Sequence, residues 1–243
     1  IALLAGVTLI ALAIAFLSLW IGSSGFGWPS DSSILKARGQ RVSLAFLVGA
    51  ALACSGTVFQ AVLRNPLADP YLLGISSGAS LGVFCWKVPA ISAIVLTVLR
   101  TAEGQGAFAM IGALATTAIV LGIVSIRRRT DPATIVLVGV MVSTIVGAIV
   151  LLIYEFVKSL PGSGYFQSLF IGELQSNTSY DDIILHAMFL GMFVCSVSVC
   201  ARALDLLMLS DDEARAIGMR VGLYRITLLF FASIITAIAV SLS

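Results

Sequence analysis

The stretch RNPLADPYLLGISSGASLG, residues 64–82, decides the fold. Each of its prolines pushes the residue before it, Asn65 or Asp69, out of the α region, so an apolar helix arriving from the N-terminal side must end near Arg64. Asp69 can then cap a new helix with Pro70 at its first position, where a missing N–H costs nothing. Arg64, Asn65, Pro66, Leu67, Ala68, Asp69 and Pro70 thus form a rigid corner between two helices. Immediately afterwards Gly74, Gly78 and Gly82 recur every fourth residue, with Ser76, Ser77, Ala79 and Ser80 between them. A face of such small residues lets a neighbouring helix approach closely within a bilayer, and plain helix packing accounts for these glycines.

The chain on either side of the corner is more apolar than a soluble core of this length requires. Hydrophobic residues make up 59% and charged residues 11% of the 243 positions, and the mean hydropathy is +1.09. This composition predicts an all-α, polytopic transmembrane helical bundle. A bilayer core about 30 Å thick takes roughly 20 helical residues. Segments 2–22, 41–63, 71–87, 107–126, 132–157, 183–203 and 224–242 approach or meet that length, which predicts about seven spans in one domain over residues 1–243. The apolar piece 89–99 is too short to span and is cut off by Lys87 and Pro89, so it is expected to be interfacial or re-entrant.

The first segment has no basic region before it and no clear small-residue cleavage site after it, so it is expected to be a retained span. Cys54, Cys85, Cys195 and Cys200 all fall inside apolar segments, where they behave as small hydrophobes, and no metal site or disulfide framework is expected. His186, the only histidine, has no Cys or His at ligand spacing within a turn. Asn177-Thr178-Ser179 matches a glycosylation acceptor, a pattern so short that chance explains it.

Basic residues set the orientation. If the first span runs outward, the loops after the second, fourth and sixth spans are cytoplasmic and hold Arg64, Arg127, Arg128, Arg129, Arg202, Arg215, Arg220 and Arg225, eight of the 14 Lys and Arg. The compact Arg127-Arg128-Arg129 run at a helix end decides the choice. The corner at residues 64–70 is then cytoplasmic, and so is the polar link LSDDEARAIGMRVGLYR, residues 209–225.

That link carries a design of its own. Ser210 with Glu213 three residues on matches a capping box, and Asp211, Asp212 and Glu213 in a first turn suit the positive end of a helix dipole. A helix of about two turns should follow and end at Gly218, where glycine takes the left-handed conformation that closes a helix. A short, capped helix outside the membrane has little of its own chain to bury against, and looks built to press on a partner. An ordinary linker lying on the headgroups is the alternative.

At this point the residues show a resemblance. The stretch RVSLAFLVGAALACSGTVFQAVLRNPLADPYLLGISSGASLG, residues 41–82, closely resembles the segment typical of FecCD-like permeases, membrane subunits of ATP-binding-cassette importers for iron-siderophores, haem and vitamin B12. The shared pattern falls on Gly49 to Ala53, Ser55-Gly56, Gln60, Asn65 to Pro70, Leu73-Gly74 and Ser77-Gly78-Ala79. Farther on, Ala214-Arg215-Ala216-Ile217-Gly218 resembles the family's Ala-x-x-Leu-Gly coupling segment, with Ile for the usual Leu. The likeness covers nearly the whole chain and is weakest over 87–106 and 158–180. Where members usually carry Arg-x-Pro-Arg this chain has Arg38-Gly39-Gln40-Arg41, which keeps both arginines and loses the proline. Members usually have about ten spans, and the chain as given stops at Ser243, so the resemblance leads one to expect the C-terminal part of the permease to be missing.

The resemblance implies alternating access. Two permease copies or homologous chains would form a central pathway in the bacterial cytoplasmic membrane. Two ATPase subunits would bind beneath it, and a periplasmic or lipid-anchored binding protein would deliver substrate. It implies that Asp211, Asp212, Glu213, Ala214, Arg215, Ala216, Ile217 and Gly218, within a coupling segment at 210–222, meet the ATPase with support from the 64–70 corner. Arg38 and Arg41 would fall where members contact the binding protein. No catalytic residue, metal, cofactor or nucleic-acid partner is expected in this chain. No G-x-x-x-x-G-K-[ST] loop is present and none of Lys36, Lys87 and Lys158 follows a glycine, so ATP would be bound and hydrolysed by a partner.

Gly139, Ser143, Thr144 and Gly147, at roughly helical spacing, are the candidate pathway residues, though small residues suit tight packing equally. Two other classes compete. An ion-coupled secondary transporter would need an ionisable site in mid-membrane, for which His186 and Glu155 are the candidates. A non-transporting, truncated membrane scaffold would need no pathway at all.

Overall fold

The computed structural model describes residues 2–22, 25–29, 31–87, 104–126, 131–157 and 180–242. Segment 89–99, the Arg127–Arg129 run and the Asn177 motif lie outside the described residues. Helix α1 (Ala2–Trp20) leads into a two-residue antiparallel pair, β1 (Ile21–Gly22) and β2 (Gly25–Phe26), with Ile21 opposite Phe26. There follow α2 (Ser32–Leu63), a 3₁₀ turn (Pro70–Leu73), α3 (Ile75–Lys87), α4 (Gly104–Ile126), α5 (Pro132–Val157) and α6 (Tyr180–Val199). The chain then forms two short helices, α7 (Ala201–Leu207) and α8 (Asp211–Ala216), and ends in α9 (Val221–Ser241).

Among the described residues, α2, α4, α5, α6 and α9 are long and apolar enough to cross a membrane, while Ala5–Trp20 and Ile75–Trp86 are shorter apolar stretches. Three expected boundaries need correction. The second span was placed from residue 41, but α2 begins at Ser32, where the Asp31 carboxylate accepts the Ser33 N–H at 2.9 Å. Without a proline between Arg38 and Arg41 nothing interrupts the ladder, and α2 runs 32 residues, about 48 Å at the usual rise. That exceeds a hydrocarbon layer of about 30 Å, so its first turns stand clear of the span.

The third span is not one helix from residue 71. A single 3₁₀ turn closes at Gly74, which has φ +77°, and α3 starts afresh at Ile75 with 13 residues. The sixth span breaks at Cys200 (φ −89°, ψ 10°), which separates α6 from α7.

Helix α9 is the axis of the bundle, packed against α2, α3, α4 and α6. Leu228, Leu229, Ala232, Ile235 and Ala237 on it are fully buried. Its polar side chains are satisfied inside the helix, Ser233 donating to the Leu229 carbonyl at 2.8 Å and Thr236 to that of Ala232 at 3.0 Å, as a low-dielectric interior requires. By contrast α1, α5 and α6 leave Leu9, Leu12, Leu137, Leu151 and Met188 exposed, the pattern of faces solvated by lipid.

The small-residue face of α3 meets α4, where the backbones nearly touch. A Cβ on Gly82 would overlap the Phe108 carbonyl, and one on Gly78 would overlap Thr116 and the Gly112 carbonyl. Gly139 of α5 lies equally close to the Leu72 carbonyl of the 3₁₀ turn.

Candidate functional site

The corner and the capped helix meet at one end of the bundle. Helix α2 ends with Arg64 in the left-handed region at φ 50°. The Arg64 N–H reaches the Ala61 carbonyl at 3.4 Å and the Asn65 N–H that of Gln60 at 3.2 Å, the two bonds of a Schellman closure. A non-glycine residue held there costs about 1–2 kcal/mol. The same geometry throws the Arg64 side chain across to the other loop: Nε donates to the Leu207 carbonyl at 2.7 Å and Nη2 to Asp211 Oδ1 at 2.5 Å. The Leu207 carbonyl is a helix-end acceptor of α7, so this contact satisfies a group that the helix leaves open.

The rest of the corner is tied locally. Asn65 Oδ1 accepts the Leu67 N–H at 2.9 Å and its carbonyl accepts that of Ala68 at 3.0 Å. Asp69 accepts the Tyr71 N–H at 2.7 Å, capping the turn that Pro70 opens. Ala68 and Pro70 are buried, while Asn65, Pro66 and Leu67 face outward, Leu67 with 86% of its surface exposed. An open groove of about 400 Å³ beside the corner is lined in part by Gly56, Gln60, Asp69 and Tyr71.

Helix α8 is closed at both ends. Ser210 Oγ accepts the Glu213 N–H at 3.3 Å, and Glu213 Oε2 accepts the Ser210 N–H at 2.9 Å and its hydroxyl at 2.7 Å, a complete capping box. At the other end Gly218 (φ +88°) donates to the Arg215 carbonyl at 2.9 Å and Met219 to that of Ala214 at 3.1 Å, a second Schellman closure. Ala214 is fully buried in the main core and the Met219 side chain packs against the same cluster, so the helix is pinned by its inner face. Asp212, Glu213, Arg215, Ala216, Ile217 and Gly218 face outward. Arg215 makes only loose pairs with Asp212 at 3.5 Å and Asp211 at 3.9 Å, which at such exposure contribute little.

Asp211 is the centre of the site. Both its oxygens are held by Arg225, Nη1 to Oδ2 at 3.2 Å and Nη2 to Oδ1 at 2.9 Å, and Arg225 is fully buried. The Arg225 hydrogen bonds hold the Asp211 carboxyl below its ordinary value; its partial burial opposes this, and the Arg64 hydrogen bond and charge add to it. The Glu213 carboxyl is also lowered, chiefly by the Ser210 hydroxyl and then by the Ser210 N–H. Sequence reasoning missed Arg225, counting it among cytoplasmic loop residues. The signal was present: it is the only charged residue in α9, and such a residue inside an apolar helix must find a partner.

The other candidates stand apart from this cluster. Arg38 and Arg41 lie at the far end of α2. Arg38 Nη1 donates to the carbonyl of Leu19 at 2.7 Å and that of Gly27 at 3.4 Å, fastening α2 to the end of α1, whereas Arg41 is exposed. On α5, Gly139 is buried against the 3₁₀ turn and Ser143 packs beside Gly74, while Thr144 is exposed and space adjoins Gly147. His186 Nδ1 lies 2.7 Å from the Asp182 carbonyl one turn away.

Apolar helices in this number define a multi-pass membrane protein, and it carries a pinned, outward-facing charged cluster at one end. The chain matches the FecCD transport family over residues 1–243 and belongs to that family. It is 32% identical over 231 residues to the uncharacterized ABC transporter permease protein YvrB of Bacillus subtilis (strain 168), covering 91% of this chain and 62% of that protein. To the hemin transport system permease protein HmuU of Yersinia pestis it is 35% identical over 238 residues, 96% of this chain and 67% of the relative. To the cobalamin import system permease protein BtuC of Halobacterium salinarum it is 33% identical over 221 residues, 89% and 56% respectively. The chain thus spans less than two thirds of YvrB and of the Halobacterium protein. The fold matches a protein assigned as a metal-chelate type ABC transporter, solved in an inward-facing conformation, with a TM-score of 0.76 and 22% identity over all of this chain and 76% of that one.

Proposed function

We propose that this chain is the transmembrane permease subunit of an ATP-binding-cassette importer, taking up an iron-siderophore, haem or cobalamin-type substrate across the bacterial cytoplasmic membrane by alternating access. Two ATPase subunits bind beneath a pair of permeases and hydrolyse ATP, and a periplasmic or lipid-anchored binding protein delivers the substrate.

The observation that carries this reading is helix α8. Its inner face is fixed by Ala214 and Asp211, while Asp212, Ala216 and Ile217 are presented outward. An element rigid in itself and anchored on one side passes a displacement into the bundle rather than absorbing it. Leu67, on the corner held to α8 by Arg64, adds an exposed apolar contact at the same end. At the far end, Arg41 is the free guanidinium suited to a binding-protein carboxylate. The α5 candidates for the pathway are Gly139, Ser143, Thr144 and Gly147; Gly139 and Ser143 also pack beside the 3₁₀ turn, and Thr144 shares the exposed face of Leu137 and Leu151.

Cysteines at Asp212 and Ala216 should cross-link to the ATPase in membranes and to nothing periplasmic. Uptake should stop without the ATPase and persist when the proton gradient is dissipated. Labelling of both cysteines only from outside the cell would sink the assignment.

A further inference from the structure

We infer that Asp211 is a clasp between the docking helix and the bundle, with Arg225 as its buried anchor and Arg64 as its releasable arm. It transmits displacement of α8 into α9 and α2 separately. The inference rests on the proposed function only for the identity of the partner that moves α8.

Asp211 is the first residue of a six-residue helix, and its two oxygens reach two other elements. One is α9, through the Arg225 fork at 2.9 and 3.2 Å; the other is the end of α2, through Arg64. The two arginines differ in setting. The Arg225 side chain is 0% exposed and that of Arg64 28%. A fully buried guanidinium has no water to turn to and must keep its carboxylate, whereas Arg64 can exchange Asp211 for water or for a group on a docked partner. Its second bond, from Nε to the Leu207 carbonyl, holds the arm in place when the first is released. The left-handed backbone at Arg64 favours any rearrangement that relaxes it. Because α9 packs against α2, α3, α4 and α6, a pull on Arg225 reaches most of the bundle at once.

The test uses the full-length permease with its ATPase and binding protein in lipid vesicles, offered haemin, cobalamin and an iron-labelled hydroxamate siderophore. Arg225→Lys keeps the charge and loses the fork, and Arg64→Gln removes the outer arm. The readout is substrate transported per ATP hydrolysed, a ratio that a smaller amount of folded complex leaves unmoved. Each variant should lower it by about fivefold or more, the lower end of coupling between sites. The double variant should fall short of the sum, as for residues in one network.

In permease without ATPase, nitroxides at Ala216 and Phe230 should show a broader distance distribution in Arg225→Lys than in the parent. An unchanged ratio in Arg225→Lys overturns the clasp, and so does an unchanged distance distribution. A broadened distribution with no cross-link from Asp212→Cys to the ATPase supports the clasp and overturns the proposed function instead.

Discussion

Replacing Gly218 by valine should open the last turn of α8 and uncouple ATP hydrolysis from transport without disturbing membrane insertion. Gly218 has φ +88°, and a Cβ built there would meet nothing within 4 Å, so the whole cost of substitution lies in the backbone. For an L-residue the left-handed region costs about 1–2 kcal/mol, and a β-branched side chain is the least tolerant. Relaxing out of that region gives up the bonds from the Gly218 and Met219 N–H groups to Arg215 and Ala214, each contributing about 1 kcal/mol net.

A loss of 1–2 kcal/mol is roughly a factor of 5–30 in a local equilibrium, and a helix of six residues has no further turns to spread it over. The core of α2, α4 and α9 is untouched, so yield and thermal unfolding in detergent should match the parent. The assay is ATP hydrolysis with and without loaded binding protein, alongside co-purification of the ATPase. Gly218→Asn should be mildest, because asparagine tolerates the left-handed region, with Gly218→Ala intermediate and Gly218→Val worst. Equal impairment by Asn and Val, or none by either, would refute the backbone argument.

Three further outcomes are expected. Arg41→Glu should weaken association with the binding protein, mainly through a slower, salt-sensitive on-rate, whereas Arg38→Glu should lower thermal stability by removing the ties to Leu19 and Gly27; unchanged association of Arg41→Glu at low salt counts against the docking role. Gly82→Ala should destabilise the α3–α4 contact by about 1–3 kcal/mol, because the new methyl meets the Phe108 carbonyl, and an unshifted melting temperature would contradict the packing. The Asp211 and Glu213 carboxyls sit below their ordinary values, so their contribution is complete above about pH 5 and is lost as pH falls from there through the lowered values. A nitroxide at Ala216 should therefore stay ordered down to about pH 5, and loosening well above that would exclude the role given to these carboxyls.

The local parts of the site were legible because their causes are local. Ser210 and Glu213 lie three residues apart, Gly218 closes the same helix, and each proline of the corner acts on the residue before it. The clasp was not legible. Asp211 meets Arg225 across 14 positions and Arg64 across 147, and only the packing of α2 beside α9 brings them together.

Boundaries failed where hydropathy misleads. Lys36, Arg38 and Arg41 made the start of α2 look like a loop, although Asp31 caps a helix that carries them outside the span. The apolar run Leu72-Leu73-Gly74-Ile75 hid a break that depends on Gly74 taking a positive φ. The break at Cys200 carries no proline or glycine to announce it.

Helix α2 runs unbroken from the ties at Arg38 to the closure at Arg64, and in mechanical terms it is a beam with a load point at each end. Pivoting about its middle, a beam about 48 Å long moves each end by about 2 Å for a tilt of about 5°. Shifts of that size are enough to repack a helix interface. Arg41 lies about 10 Å from that middle and moves by about 1 Å in the same tilt. An approach to Arg41 on one arm and a displacement of Asp211 at the end of the other would then be parts of a single rocking movement, with no chain of intermediate contacts needed to join them.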